Sequence, residues 1–309
     1  MECIIIMELL RRLCSIQAPS GDESLMYEFL LEYIEDQKAN WKFRTTVTHG
    51  PEFQHCIILE FGVPRTAVFA HIDNIGFTAR YKNELVKIGG PRTASGYKLV
   101  GEDSIGKIEC TLEMDKENNL HANFNREIQT GTNLSFQPNF REDSNFIQCC
   151  YLDNRLGVYN ALKLAEELQH GVIVFSCWEE HGGGSIPYIT KYLWEKFKIK
   201  QTLISDITWI TDGVTHGQGV VVSLRDSGLP RRVFTNKIRN ILNENNFKYQ
   251  IEVESSGGSD GNEIQKQPYP IDWCFIGAAE EFVHSPDEKV HKFDIQSMLD
   301  AYKLLMEKL

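Results

Sequence analysis

The fold is decided by residues 145–180, NFIQCCYLDNRLGVYNALKLAEELQHGVIVFSCWEE. The apolar run NFIQCCYL is followed by a helical pattern from about Leu156 to Leu168. A second apolar run, VIVFSCW, then leads into two adjacent glutamates. Runs this continuous, with no alternation of polar residues, suit strands buried on both faces. Strands alternating with helices imply a parallel sheet covered by helices. The acidic residues carry as much information: Asp153 stands at the end of the first run, and Glu179–Glu180 at the end of the second. Ligands of open α/β sheets sit in the crevice outside the carboxyl ends of the strands.

The same texture continues on either side. HCIILEF (55–61) and TAVFAH (66–71) read as buried strands, as do TLISDI (202–207), GVVVSLRD (219–226) and IDWCFIG (271–277). Ser20 and Glu23 stand at capping-box spacing ahead of Met26, Phe29, Leu30, Tyr33 and Ile34, which predicts a helix. Another helix is expected after Pro230. A terminal helix carries Ile295, Met298, Leu299, Tyr302 and Leu305 on one face. Between Ile75 and Gln148 the pattern changes to short runs (IGFTARY, ELVKI, KIECTLEM, LHANF) broken by turn clusters. The expected fold is α/β, a mostly parallel sheet flanked by helices, with an inserted small all-β domain. Residues 1–75 and 149–309 would form the discontinuous α/β catalytic domain, and residues 76–148 the insert.

At 42% hydrophobic and 24% charged the composition is that of an ordinary globular chain. Thirty-two basic against 43 acidic residues leave a net charge of −11, poorly suited to phosphate backbones or anionic lipid, so neither nucleic acid nor membrane is an expected partner. The longest apolar run, Cys3–Met7, is far short of the ~20 residues that span a bilayer. It is preceded by no basic residue and followed by no small-residue cleavage site, which argues against a signal peptide; Met7 is a candidate start. None of the eight cysteines (Cys3, Cys14, Cys56, Cys110, Cys149, Cys150, Cys177, Cys274) forms a C-x-x-C pair, and no disulfides are expected. The expected location is cytoplasmic.

Carboxylates and histidines gather at the strand ends: His71 and Asp73 in TAVFAHID, Asp153 in CCYLDNR, Glu179 and Glu180 in FSCWEE, Asp206 in LISDI, His284 in EEFVHSP. Singly, each has a duller explanation, because H-x-D arises by chance and paired glutamates usually coat a solvated helix. The ordered series, each member after an apolar run, is much harder to obtain by accident. Two divalent metals need a shared carboxylate, further oxygen and imidazole ligands, and an open position for water. Histidine with Asp and Glu suits Zn, Mn or Co.

The series resembles the TET-type dinuclear metallo-aminopeptidases, a family that includes glutamyl and deblocking aminopeptidases and some members labelled endoglucanase. The matching pieces are AHIDNIGF, YLDNRLGVYNALKLAEEL, EEHGGGS, SDIT, GQGVVV, SGGSDGNEI and FVHSPDE, spread from residue 70 to 288. The 80 residues from Asp73 to Asp153 leave room for an insert between those positions, where related exopeptidases have none.

The resemblance implies two divalent metal ions per subunit (Zn first, Co or Mn as alternatives). Asp153 would bridge them, His71 and Asp206 would complete one site, and Glu180 and His284 the other. Glu179 would be the general base, and Asp73 would bond the far nitrogen of His71 to fix its orientation. A cis peptide bond is implied at Asp153–Asn154. Peptides would be the substrates, and the β insert would make a homo-oligomer, at least a dimer; the family's dodecamer is not carried over to this compact insert. His181 and Gly182–Gly184 replace the family's usual apolar residue and read as a solvated loop. That loop and Ser255–Asp260 are candidate lining for the substrate pocket. Two competing readings stay open: a glycoside hydrolase of endoglucanase type, whose chemistry needs paired carboxylates but no metal, and a metal-binding assembly protein without activity.

Overall fold

The computed structural model describes residues 2–309, with side chains from Glu8 onward. Met1 and the side chains of residues 2–7, Cys3 and the candidate start Met7 among them, lie outside the described residues. The helices are α1 (Glu2–Cys14), α2 (Ser24–Gln37), α3 (Leu152–Ala165), α4 (Ile186–Phe197), α5 (Arg232–Glu244), α6 (Asp260–Gln265) and α7 (Lys292–Lys308). Three strands open the chain: β1 (Thr45–Thr48), β2 (Ile57–Phe61) and β3 (Ala67–His71). Six more follow, β4 (Gly76–Ala79), β5 (Glu84–Ile88), β6 (Lys98–Asp103), β7 (Gly106–Met114), β8 (Leu120–Asn123) and β9 (Asn133–Phe136). The rest are β10 (Arg141–Glu142), β11 (Phe146–Gln148), β12 (Gly171–Ser176), β13 (Gln201–Trp209), β14 (Val221–Arg225), β15 (Gln250–Val253), β16 (Asp272–Glu281) and β17 (Lys289–His291).

One eleven-stranded sheet runs β1-β2-β12-β3-β13-β16-β17-β11-β10, with β14 pairing both β15 and β16. The parallel character expected from the sequence holds at its centre, where β12, β3, β13 and β16 are parallel neighbours. Outside that core the pairings β1/β2, β2/β12, β16/β17, β17/β11, β11/β10 and β14/β16 are antiparallel, so the sheet is mixed. Antiparallel neighbours need no crossover helix, and the short links after β1 and β16 supply none. The central strands are buried along almost their whole length, which is why their sequences lack alternation. Helix α3 packs along β3 and β13, with α1 and α7 beside it, while α6 packs against α4 and β16.

Strands β4 to β9 close into a separate barrel in the order β4-β5-β8-β7-β6-β9. The burial of β7 alternates, with Ile108, Cys110 and Leu112 inward, as a small closed sheet requires. Residues 141–148, which the sequence reading put in the insert, instead form β10 and β11 of the large sheet. Ile147 is fully buried there opposite Val290, so burial of this residue pulls the segment across.

The capping box expected at Ser20 and Glu23 is absent. Helix α2 starts at Ser24 and Glu23 makes no side-chain cap bond. Ser20 Oγ instead donates to Asp73 Oδ2 at 2.6 Å, and Glu23 accepts from the Gly21 N–H. A buried carboxylate outcompeted the local cap. The seven described cysteines are free and buried. No helix among the described residues is long and apolar enough to cross a membrane.

Candidate metal centre

All four central parallel strands end on one side, and the candidate residues leave from those ends. His71 is the last residue of β3, Asp206 lies within β13, and Glu179 and Glu180 follow β12 by a short turn. His284 follows β16, in the left-handed region at φ 65°. Asp153 sits at the start of α3, where Asp153 and Asn154 are non-helical and the peptide bond between them is cis.

The side chains converge. His71 Nε2 lies 3.2 Å from Asp153 Oδ1, 3.6 Å from Asp206 Oδ2 and 3.8 Å from Glu179 Oε2. His284 Nε2 lies 3.3 Å from Asp153 Oδ2 and 3.2 Å from Glu180 Oε2. Asp153 therefore stands between two imidazoles and offers one oxygen to each. Two groups can each hold a metal ion, His71–Asp153–Asp206 and Asp153–Glu180–His284, with ligand atoms mutually within 4.8 Å.

The electrostatics are those of an acidic cluster awaiting cations. Burial alone would lower His71, but Asp206, Asp153 and Asp73 hold its imidazole well above the ordinary value. His284 is likewise opposed by burial and pushed up to about 12 by Glu180 and Asp153. Burial favours a neutral Asp153, yet its contacts with His284 and His71 keep it below the usual carboxylate range. Glu179, Asp206 and Glu180 are all raised, first by burial and then by neighbouring carboxylates. Glu180 Oε1 is buried without a hydrogen-bond partner. Nitrogen and oxygen donors around an orphaned buried carboxylate oxygen fit hard or borderline divalent cations.

The supports of this cluster are backbone bonds. Asp73, fully buried, accepts the Glu179 N–H at 3.1 Å through Oδ1 and the Glu180 N–H at 3.0 Å through Oδ2. Its Oδ1 also lies 3.3 Å from His71 Nδ1, an ionic contact rather than an aligned hydrogen bond. Arg155, also fully buried, donates to the carbonyl of Ile72 and to Asn74 Oδ1, fastening the chain just beyond His71 to α3. Gly157 lets α3 approach β13: a Cβ there would sit 2.0 Å from the Ser205 carbonyl oxygen.

Two further carboxylates support the cluster, Glu288, to which the sequence assigns no role, and Asp260, which it marks only as candidate pocket lining. Glu288 lies in FVHSPDE, four residues after His284, and that spacing was the only signal. It accepts the His284 N–H at 2.9 Å and the Asp153 N–H at 3.3 Å, so one buried carboxylate spans the backbones of both candidate ligands. Asp260, within SGGSDGNEI, accepts from Ser176 Oγ at 2.5 Å. His181 is exposed, as the solvated-loop reading expects, and its Nδ1 accepts the Gly89 N–H at 3.0 Å. The next residue, Gly90, has its carbonyl oxygen 3.1 Å from His284 Nδ1. The end of barrel strand β5 thus touches both loops that carry the cluster.

A cavity of about 250 Å³ opens from Asp153, Glu179, Glu180, Asp206 and His284. Of the Ser255–Asp260 stretch expected at a substrate pocket, Ser256, Gly257 and Gly258 line it, whereas Gly182 and Gly183 line a smaller adjoining cavity with Glu179.

A model of the M42 glutamyl aminopeptidase family matches residues 109–300. A protein of Acetivibrio thermocellus named "Putative aminopeptidase" is 24% identical over 97% of each chain. Among solved structures, the aminopeptidase APDkam598 from the archaeon Desulfurococcus kamchatkensis superposes with a TM-score of 0.86, at 19% identity, over 98% of this chain and 95% of its own. The TET1 peptidase of Pyrococcus horikoshii gives 0.82 at 21% identity, over 98% of this chain and 100% of its own. At such identities these structures establish the shared fold. The family match, over more than half of the sequence, makes this chain a peptidase of the M42 glutamyl aminopeptidase family.

Proposed function

We propose that the protein removes N-terminal residues from peptides with a dinuclear metal centre and a glutamate base. The observation that carries this reading is the Asp153 carboxylate, with one oxygen 3.2 Å from His71 and the other 3.3 Å from His284. In this reading Asp153 is shared, His71 and Asp206 complete one cation site, and Glu180 and His284 the other. Divalent cations held there, Zn first and Co or Mn as alternatives, would supply Lewis acidity and bring the pKa of a water toward neutrality. Glu179 takes the proton of the attacking water on its carboxylate and delivers it to the departing amine nitrogen. Asp73 holds the Glu179–Glu180 turn through both backbone N–H groups and keeps His71 oriented. The glycoside hydrolase alternative leaves both imidazoles without a role.

The barrel of strands β4 to β9, inserted into a discontinuous catalytic domain that takes back residues 141–148 as β10 and β11, is inferred to serve self-association. Support comes from Pyrococcus horikoshii TET1, described as assembling into a tetrahedron or a large octahedral shell. The experiment that tests the chemistry is Glu179→Gln, assayed for bound metal and for hydrolysis of aminoacyl p-nitroanilides. Metal content should be retained while kcat falls on the order of 10²–10⁴-fold, the usual contribution of a positioned proton carrier. A variant turning over at the wild-type rate would exclude Glu179 as the base. Wild-type activity that survives chelation to metal-free protein would exclude the metal.

A further inference from the structure

The segments GVVVSLRDS (219–227) and QIEVESSGG (250–258) carry three carboxylates that the chemistry proposed above does not use: Asp226, Glu252 and Glu254. Strands β14 and β15 pair in parallel, and the register slips between Ser223 and Arg225, which re-aims the chain at Asp226. All three residues line the cavity that opens from the metal centre. Asp226 is 7% exposed and Glu252 5%, so these are interior groups.

Buried carboxylates are costly unless something cationic compensates them. Among the described residues no basic side chain forms a salt bridge with Asp226 or Glu252. Asp226 accepts the Gly228 N–H, and Glu252 is held by the Thr208 hydroxyl with Ser223 beside it; burial raises both, and the charges nearest Glu252 are Asp226 and Glu254. No described Lys or Arg lines the cavity, and its one basic side chain, His284, belongs to the metal-centre end. Arg225, next in sequence, is exposed. The three carboxylates do not form one of the metal-holding groups found among the described residues, so their separation does not suit a single metal ion. The remaining walls include Ile207, Thr208 and Trp209, the three residues after Asp206 on β13, and Phe275. Apolar walls with unpaired carboxylates match a side chain that has a long apolar stem and a cationic head. An exposed tryptophan face adds a surface that attracts such a head.

We propose that this cavity is the pocket for the side chain of the N-terminal residue and selects lysine and arginine, with Asp226, Glu252 and Glu254 as its specificity-determining groups. The inference rests on the aminopeptidase reading and narrows it. An acidic N-terminal residue would meet like charges in a desolvated pocket, and a leucine would leave the carboxylates unpaired.

The test uses the metal-loaded protein with Lys-, Arg-, Leu- and Glu-p-nitroanilides. Expected kcat/KM values for Lys and Arg exceed that for Leu at least tenfold and that for Glu at least a hundredfold. Asp226→Asn and Glu252→Gln should each lower the Lys/Leu and Arg/Leu ratios of kcat/KM tenfold or more. Glu254→Lys, at a half-buried position, should raise Glu relative to Lys even if the two buried variants fail to fold. Calorimetry with lysinamide and norleucinamide reads binding apart from turnover, and lysinamide should bind at least tenfold tighter. Leu hydrolysed as fast as Lys, or all substrates falling in parallel in the variants, would overturn the pocket assignment while leaving the aminopeptidase intact. No hydrolysis of any substrate, with lysinamide still preferred, would overturn the aminopeptidase reading and keep the pocket.

Discussion

Replacing Asp73 by asparagine preserves shape and removes one acceptor, which makes it a sharp probe of how the cluster is held. Asp73 Oδ1 accepts from the Glu179 N–H, and Oδ2 from the Glu180 N–H and Ser20 Oγ. The asparagine amide nitrogen must take one of those two places. At the Oδ2 position Ser20 can rotate to accept, but the Glu180 N–H faces a donor. At the Oδ1 position the Glu179 N–H faces a donor, and His71 Nδ1 is asked to accept, which moves the imidazole proton to Nε2. Either way one buried N–H in the Glu179–Glu180 turn loses its partner, at a cost of about 1–3 kcal/mol. That penalty falls on the turn carrying a candidate ligand and the candidate base. Metal affinity should drop roughly 10–100-fold, the range typical of losing an orienting carboxylate. The assay is competition for the metal against a chromogenic chelator, with urea denaturation of the metal-free protein in parallel. Affinity within twofold of wild type, together with an unchanged urea midpoint, would refute this account of the turn.

Three other substitutions probe the same framework. Glu288→Ala strands the N–H groups of Asp153 and His284 and should cost about 1–3 kcal/mol for each in urea unfolding; a loss below 0.5 kcal/mol, on the order of a neutral surface change, would contradict the bridging role. Gly157→Ala drives a methyl against the Ser205 carbonyl oxygen, so a destabilisation of about 3 kcal/mol or an insoluble chain is expected; a soluble variant with an unchanged Tm would contradict the close approach. Burial pushes Asp260 up to about 6 from its ordinary 3.8. A raised carboxyl favours the fold while protonated, and that contribution is lost as pH climbs from about 4 through 6. Asp260→Asn should therefore stabilise the metal-free protein at pH 7 by roughly 3 kcal/mol and make no difference near pH 4, measured by urea midpoints; equal midpoints at pH 7 would exclude the effect.

What the sequence revealed about this fold was what burial writes plainly into it. The central strands are apolar throughout because both faces are covered, and the residues that must leave the sheet toward a shared crevice stand out as charges at the ends of those runs. His71, Asp153, Glu180, Asp206 and His284 were legible for that reason, and the structure brings all five together with Glu179 and Asp73. Features fixed by distant partners were not legible. Ser20 looks like a helix cap until Asp73, 53 residues away, claims its hydroxyl. Residues 141–148 look like more of the barrel until Ile147 finds Val290. Helix α4 went unread because the strand-like runs around it dominated the pattern. Glu288, Asp226 and Glu252 are ordinary acidic letters in their segments. Only the three-dimensional neighbourhood shows that one holds two backbones and the others have no counter-ion.

The contact between the barrel and the cluster has a consequence for how this architecture can vary. Gly89 has φ +68°, and a Cβ there would stand 2.9 Å from the Glu180 carbonyl oxygen, so a side chain at this position would push on the turn that carries Glu180. Two further bonds cross the same seam: the Arg92 N–H donates to the His284 carbonyl oxygen at 2.8 Å, and the Tyr151 hydroxyl donates to the Phe136 carbonyl oxygen at 2.9 Å. Strands and loops away from this seam are free to lengthen, but a foreign barrel can be grafted in only if it brings Gly89, Gly90 and the backbone of Arg92 and Phe136 to the same places. A hybrid that keeps every candidate ligand but loses these seam contacts should hold His284 and the Glu180 turn less firmly and be a poorer enzyme for it.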